Sequence, residues 1–289
     1  MRLFCNKKGI GLRLAALAVM LCVMSASLLS CGRLHHTELI VEILKIGKAD
    51  CIILTEENYT VMIDCGESDD GEEIIGYLKT RGVNQIDCLI ITHFDRDHIG
   101  SAATVLNSYP VKKLIEPDYT PENPDSTEYT TYREAIEQNG ISPQVQREDG
   151  AFSVGAMDFE IFAAGDAVYT KSIDNNYSLL VGMYHEGNSF LFAGDAEKQR
   201  LDDLMESGKV KQYDFLKVPH HGNYNKALPD FFAAVAPKNA VITCSAKNQP
   251  EEQTIQALQQ LGCEVYCTKD SEIRVISKQE GITVHHFGV

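Results

Sequence analysis

Residues 92–100 read Thr92-His93-Phe94-Asp95-Arg96-Asp97-His98-Ile99-Gly100 and directly follow the apolar run Leu89-Ile90-Ile91. Four side chains able to bind a metal fall here with little else between them. A hydrophobic strand that ends in closely packed His and Asp constrains the fold, because it needs a charge-binding mouth at the end of a sheet. A solvated loop with two accidental histidines is the plainer reading, and it fails on density. On extended backbone alternate side chains share a face. That rule predicts His93, Asp95 and Asp97 in one cleft, with His98 following where the chain turns into its next element.

Two later segments repeat the design. Asn188-Ser189-Phe190-Leu191-Phe192-Ala193-Gly194-Asp195 is a short apolar strand ending in Gly-Asp. Asp214-Phe215-Leu216-Lys217-Val218-Pro219-His220-His221-Gly222 is another strand ending in potential ligands. Together the three segments resemble the metallo-β-lactamase superfamily signature H-x-H-x-D-H, with Asp95 where the second histidine would stand. The His-His-Gly form and Asp174-Asn175-Asn176-Tyr177-Ser178-Leu179 are similar to the branch with the ComEC-type competence domain and the phosphorylcholine esterases. Ile46-Gly47-Lys48-Ala49-Asp50-Cys51 resembles that branch's Gly-x-Gly-Asp loop, departing from its usual Gln-Gly at Lys48-Ala49. The resemblance covers residues 38–289, in the expected order.

The resemblance implies an α/β fold, the αββα four-layer sandwich, and a two-metal hydrolytic centre. By position, His93 and Asp95 would bind the first metal, Asp97 and His98 the second, and Asp195 would bridge them. One histidine of the His220-His221 pair completes the second metal. His221 is the favoured ligand, which leaves His220 to steer water or protonate a leaving group, with Asp97 beside it in catalysis. The family's remaining ligand to the first metal is a histidine, and none lies between His98 and His185, so Asp174, Asn175 or Asn176 must substitute. His185, in His185-Glu186-Gly187, is expected in an exposed turn, and His285 and His286 are expected to be structural. Zn²⁺ is the first choice of metal at both sites. Asp95 brings the formal charge near zero and makes Mn²⁺ or Fe acceptable, since harder ions favour oxygen ligands.

The N-terminus carries a different message. Arg2, Lys7, Lys8 and Arg13 precede an apolar stretch from Leu14 to Leu29 and the box Leu28-Leu29-Ser30-Cys31. This reads as a lipoprotein signal over residues 1–30, a lipid-bearing Cys31 with a short tether to residue 37, and one domain over 38–289. It places the protein on the extracytoplasmic face of a bacterial membrane; an uncleaved anchor is the alternative. His35 and His36 are expected to belong to the tether. Cleavage would take four basic residues from a chain of formal charge −15, leaving −19. Such a surface repels polyanions and lacks the basic stripe of a nucleic-acid track, so long nucleic acid is an unlikely partner. The six remaining cysteines show no Cys-x-x-Cys spacing and are expected mostly as free thiols, with Cys65 nearest the presumed cleft.

Periodicity alone predicts mixed α/β. Strands are expected at Glu38–Leu44, Cys51–Leu54, Thr60–Ile63, Asp87–Thr92, Asp158–Phe162, Ser178–Met183, Ser189–Ala193, Phe215–Val218, Ala240–Thr243, Glu272–Ile276 and Thr283–Phe287. Helices are expected at Glu72–Thr80, Gly100–Asn107, Glu128–Gln138, Glu197–Met205, Phe231–Val235 and Glu252–Leu261. The branch resembled implies a small-molecule or cell-surface phosphoester as substrate. A ComEC-like nuclease acting on extracellular DNA, a β-lactamase, and a non-catalytic metal- or ligand-binding lipoprotein are the other readings.

Overall fold

The computed structural model describes residues 36–287. The leader, Cys31 and His35 lie outside the described residues. Among those described, no helix is long and apolar enough to cross a membrane.

The strands run β1 (Leu39–Ile43), β2 (Ile52–Glu56), β3 (Tyr59–Ile63), β4 (Cys88–Ile90), β5 (Leu114–Pro117), β6 (Gln144–Gln146), β7 (Gly150–Val154), β8 (Met157–Phe162), β9 (Leu180–His185), β10 (Asn188–Phe192), β11 (Phe215–Lys217), β12 (Asn239–Ile242), β13 (Glu264–Cys267), β14 (Glu272–Lys278) and β15 (Gly281–Phe287). The helices are α1 (Gly71–Thr80), α2 (Arg96–Ile99), α3 (Ala102–Ser108), α4 (Thr127–Gln138), α5 (Ile173–Asn176), α6 (Lys198–Glu206), α7 (Leu228–Val235) and α8 (Glu252–Gln260), with a 3₁₀ turn at Pro219–Gly222. One sheet has the order β15-β14-β1-β2-β3-β4-β5-β6 and the other β13-β12-β11-β10-β9-β8-β7.

Strand alternation builds the layers. In the first sheet Cys88 and Ile90 face inward and meet Phe190, Phe192 and Phe215 of the second sheet. Leu89 and Ile91 face outward onto Ile74 and Leu78 of α1, Val105 of α3 and Tyr132 of α4. Leu191 and Leu216 pack outward on Leu201 of α6, Phe231 and Phe232 of α7 and Leu258 of α8. Both faces of the central strands are therefore buried, which is why they read as continuous apolar runs. The result is the αββα sandwich that the resemblance implies.

The differences from expectation have local causes. β6 and β7 are edge-side strands with several exposed residues, and β13 is an edge strand, so none carries a strong apolar signal. β5 ends in Pro117, a residue that argues against a strand. The helix expected at Gly100–Asn107 is α3, and a further short helix, α2, precedes it over Arg96–Ile99. Gly100 lies against the Glu67–Ser68 backbone, where a Cβ would come within 2.4 Å of it. His185 is buried rather than exposed: its ring bonds Ser277 Oγ at 3.0 Å and Thr37 Oγ1 at 2.9 Å, tying the first residues of the domain to two later strands.

Candidate metal centre

Parallel pairing of β3 with β4, and of β10, β11 and β12, brings the carboxyl ends of these strands to one rim of the sandwich. Asp64 leaves β3, the segment Thr92–His98 leaves β4, Asp195 follows β10, His220 and His221 follow β11, and Thr243 follows β12. Ligand sites of open α/β sheets occupy this position for the same topological reason.

Asp97, His98, Asp195 and His221 form one cluster, their ligand atoms all within 4.8 Å of one another. His98 Nε2 is 3.2 Å from Asp195 Oδ1, and His221 Nε2 is 3.1 Å from Asp195 Oδ2 and 3.5 Å from Asp97 Oδ2. His93 adjoins them, its ring centroid 4.1 Å from that of His98, and its Nε2 lies 3.6 Å from Asp95 Oδ2. His93 and Asp95 share a face on extended backbone, as expected. Asp97 does not reach the centre that way; it sits in the first turn of α2, which starts at Arg96.

Hydrogen bonds fix the tautomers. Thr92 Oγ1 donates to Asp64 Oδ2 at 2.7 Å, so the His98 and His93 Nδ1–H groups must donate, to Asp64 Oδ2 at 2.7 Å and to Thr92 Oγ1 at 3.1 Å. Thr243 Oγ1 donates to Asp50 Oδ1 at 2.6 Å, so His221 Nδ1–H donates to Thr243 at 2.8 Å. Each ring therefore turns its Nε2 toward the centre. The Nε2 atoms of His93, His98 and His221, and Asp195 Oδ1, are buried with no hydrogen-bond partner. Buried polar atoms are almost always paired, and four such atoms converging beside carboxylates fit the ligand shell of a divalent cation. Bonds behind a ligating histidine that orient it are the usual support of such a site.

The field agrees. Burial alone would push the Asp195 carboxyl up, yet His221, His98 and Lys217 hold it well below the ordinary range. Burial works the same way on Asp97, and His221 and His98 again take it down. On His98 and His221 burial favours the neutral ring, but Asp195 raises both. The pocket thus stabilises positive charge at its middle.

Backbone strain surrounds these groups. Asp64, His220 and His221 have φ of 61°, 48° and 52° without being glycine. Residues hold such conformations where surrounding structure over-determines them. Gly194, at φ +51°, packs so close that a Cβ would come within 3.1 Å of both Ser178 and Thr92.

His220 stands apart from the cluster. Its Nδ1 is 3.3 Å from Glu197 Oε1 and its Nε2 3.1 Å from Asn223 Nδ2, with one-fifth of the side chain exposed. Of Asp174, Asn175 and Asn176, Asp174 adjoins Asp95 and His93 electrostatically; burial, then Asp95, raises its carboxyl. Phe94 N–H donates to the Tyr119 hydroxyl at 2.8 Å, and the Asp174 carboxylate accepts from Glu122 N–H at 3.2 Å. Asn175 Nδ2 donates to Glu197 and Asn176 Nδ2 to Lys171 O, each at 2.9 Å, although Asn175 Oδ1 is buried and unpaired. Cys65 is buried, with its thiol pushed well up by burial, and all six described cysteines are free. His285 and His286 lie on β15, away from the cluster.

Sequence reasoning gave Asp64, Thr92, Thr243 and Lys217 no role in the centre. A signal existed for two of them: Asp64 ends an apolar strand, and Lys217 interrupts one. A cleft of about 890 Å³ opens beside Asp97, with Lys45, Lys48 and Arg96 among acidic Glu67, Asp70 and Glu128.

The chain is similar to several known proteins. ComE operon protein 3 of Bacillus subtilis is 28% identical over 193 residues, which is 65% of this chain and 24% of that protein. Recombination protein 2 of Haemophilus influenzae is 26% identical over 214 residues, 72% of this chain and 24% of that protein. The chain thus spans about a quarter of the curated relatives it matches. Among solved structures, the metallo-beta-lactamase fold protein YhfI from Bacillus subtilis superposes with a TM-score of 0.57 at 10% identity, covering 84% of this chain and 99% of that one. CmlA, a diiron beta-hydroxylase from Streptomyces venezuelae, gives 0.51 at 12% identity, covering 82% and 54%. These two likenesses concern the fold. Residues 45–245, well over half of the chain, match the family model outright, and the chain belongs to the metallo-beta-lactamase superfamily.

Proposed function

We propose that the protein is an extracytoplasmic, metal-dependent hydrolase of small phosphoesters. The observation that carries this reading is the convergence of three unpaired imidazole Nε2 atoms and Asp195 Oδ1 in a buried pocket. His93, Asp95 and Asp174 would hold one divalent ion, Asp97, His98 and His221 the other, and Asp195 both. Zn²⁺ suits the imidazoles, and the carboxylates leave room for Mn²⁺ or Fe. Two such ions, when bound, supply an activated water and stabilise negative charge on substrate oxygens.

The chain's own residues do the rest. Asp64, Thr92 and the Thr243–Asp50 pair hold the imidazoles in one tautomer. His220, at the rim, is positioned by Glu197 and Asn223 to hydrogen-bond the departing alcohol. Burial favours its neutral ring, outweighing Asp195 and Glu197. To donate a proton it must first take up the one released by the attacking water, acting as base and then acid. The cleft beside Asp97 suits a small ester, and its acid-rich wall discourages a long polyanion.

The second reading is a ComEC-like nuclease acting on extracellular DNA, in keeping with the ComEC-type branch that the sequence resembles. Kinetics on a chromogenic phosphodiester, a phosphomonoester, a cephalosporin and long DNA separate the readings. We expect kcat/KM on the diester to exceed that on the cephalosporin by about a hundredfold or more, with little cleavage of long DNA. Efficient DNA degradation without activity on small diesters would transfer the function to a nuclease. Cephalosporin as the best substrate would make it a β-lactamase.

For location we propose lipid on Cys31. Metabolic labelling with a fatty acid should mark the wild type and leave Cys31→Ser unlabelled. A mature protein that retains residues 1–30 would favour the uncleaved anchor.

A further inference from the structure

Lys217 is the last residue of β11, and strand alternation turns it inward with Phe215, toward the space between the sheets. Its side chain has no exposed surface. A buried ammonium is strongly unfavourable unless paired and hydrogen-bonded. Lys217 Nζ forms a close ion pair with Asp50 Oδ2, donates to Gly194 O at 3.2 Å, and lies 3.6 Å from Asp195 Oδ1. Phe192 pairs with Lys217 across the parallel β10–β11 ladder, which brings Gly194 and Asp195 just beyond the end of β10 next to this ammonium.

The position is electrostatically specific. Asp50 and Asp195 are both buried and carry like charge. Lys217 stands between them. The other Asp50 oxygen accepts from Thr243, which holds His221. The loop carrying Asp50 is fixed as well: its N–H donates to Asp97 O at 3.0 Å, and its C=O accepts from Gly66 N at 2.8 Å. One ammonium therefore touches the shared carboxylate directly and the His221 support through Asp50.

We propose that Lys217 is a resident counter-cation of the metal centre, a positioning residue that holds the Asp50 and Asp195 carboxylates in place before metal arrives and weakens metal binding once it does. The inference rests on the two-metal reading above. In the metal-free protein Lys217 is the permanent positive charge that these carboxylates share. Divalent ions at the cluster repel it and compete for Asp195. Lys217 then stabilises the metal-free form more than the loaded form, and by linkage its removal must tighten metal binding. A lysine that only filled space would stabilise both forms alike and leave affinity unchanged.

The test uses the full chain with zinc as the probe. Thermal midpoints are measured metal-free and zinc-loaded, and zinc affinity is measured by competition with a chelator. Lys217→Met should lower the metal-free midpoint by about 10 °C and the loaded midpoint by less than half as much. Zinc binding should tighten about tenfold. Lys217→Arg should stay within about twofold of wild type in affinity, because it restores the charge. Asp50→Asn should move affinity the opposite way, about tenfold weaker, since Lys217 is then left to Asp195 alone. Recovery of Lys217→Met only from zinc-containing medium would also support the inference. Equal losses of stability in both forms, weaker zinc binding in Lys217→Met, or failure to fold even with zinc would overturn it. A wild type that binds no zinc, manganese or iron would overturn the two-metal reading itself, and that result is visible without any variant.

Discussion

Replacing Asp195 by alanine is expected to strip most of the bound divalent metal and to lower phosphodiester turnover by at least about three orders of magnitude. Asp195 follows β10 and its N–H donates to Ser178 Oγ at 3.1 Å, which aims the carboxylate. Its two oxygens lie 3.2 Å from His98 Nε2 and 3.1 Å from His221 Nε2, so it faces the inward nitrogens of both imidazoles. Asp97 cannot replace it, because its contact is with His221 and its side chain is one-fifth exposed at the rim. His98→Ala should also lose metal, since Asp64 then has no imidazole to orient. Elemental analysis after dialysis checks both variants, with circular dichroism to confirm the fold. Stoichiometric metal retained in both would remove these residues from the ligand set.

The two neighbouring histidines should behave differently. His221→Ala is expected to lose the second metal and activity together. His220→Ala is expected to keep most metal while kcat falls about 10² to 10⁴-fold, the usual range for a general acid–base group. The structural reason is the left-handed backbone at both residues, which sends adjacent side chains in different directions. His221 turns inward to Thr243 and Asp195. His220 turns to Glu197 and Asn223 at the rim. Measuring metal content and kcat on the same preparations makes the comparison. Loss of metal in His220→Ala with retention in His221→Ala would swap the roles.

Much of this centre is legible in the residues themselves. His93, Asp95, Asp97, His98, Asp195 and His221 each follow an apolar strand, and the topology that gathers strand ends also gathers them. What the pattern could not supply is depth. Lys217, Asp50 and Thr243 come from three segments: pairing of β11 with β12 sets Lys217 near Thr243, and Asp50 reaches them from the β1–β2 loop of the other sheet. Asp97 was expected on an extended segment because alternation was carried one residue too far; the chain becomes helical at Arg96. His185 was expected at the surface because Gly187 marks a turn, yet tertiary packing against Ser277 buries it. β6, β7 and β13 were missed because strands near a sheet edge need not be apolar on both faces.

The most direct measurement is zinc binding by the unsubstituted full chain, followed by X-ray absorption at the zinc edge. About two equivalents are expected, in mixed imidazole and carboxylate coordination with the metals roughly 3.5–4 Å apart. A protein that binds no zinc, manganese or iron above background would contradict the metal centre and the hydrolase built on it.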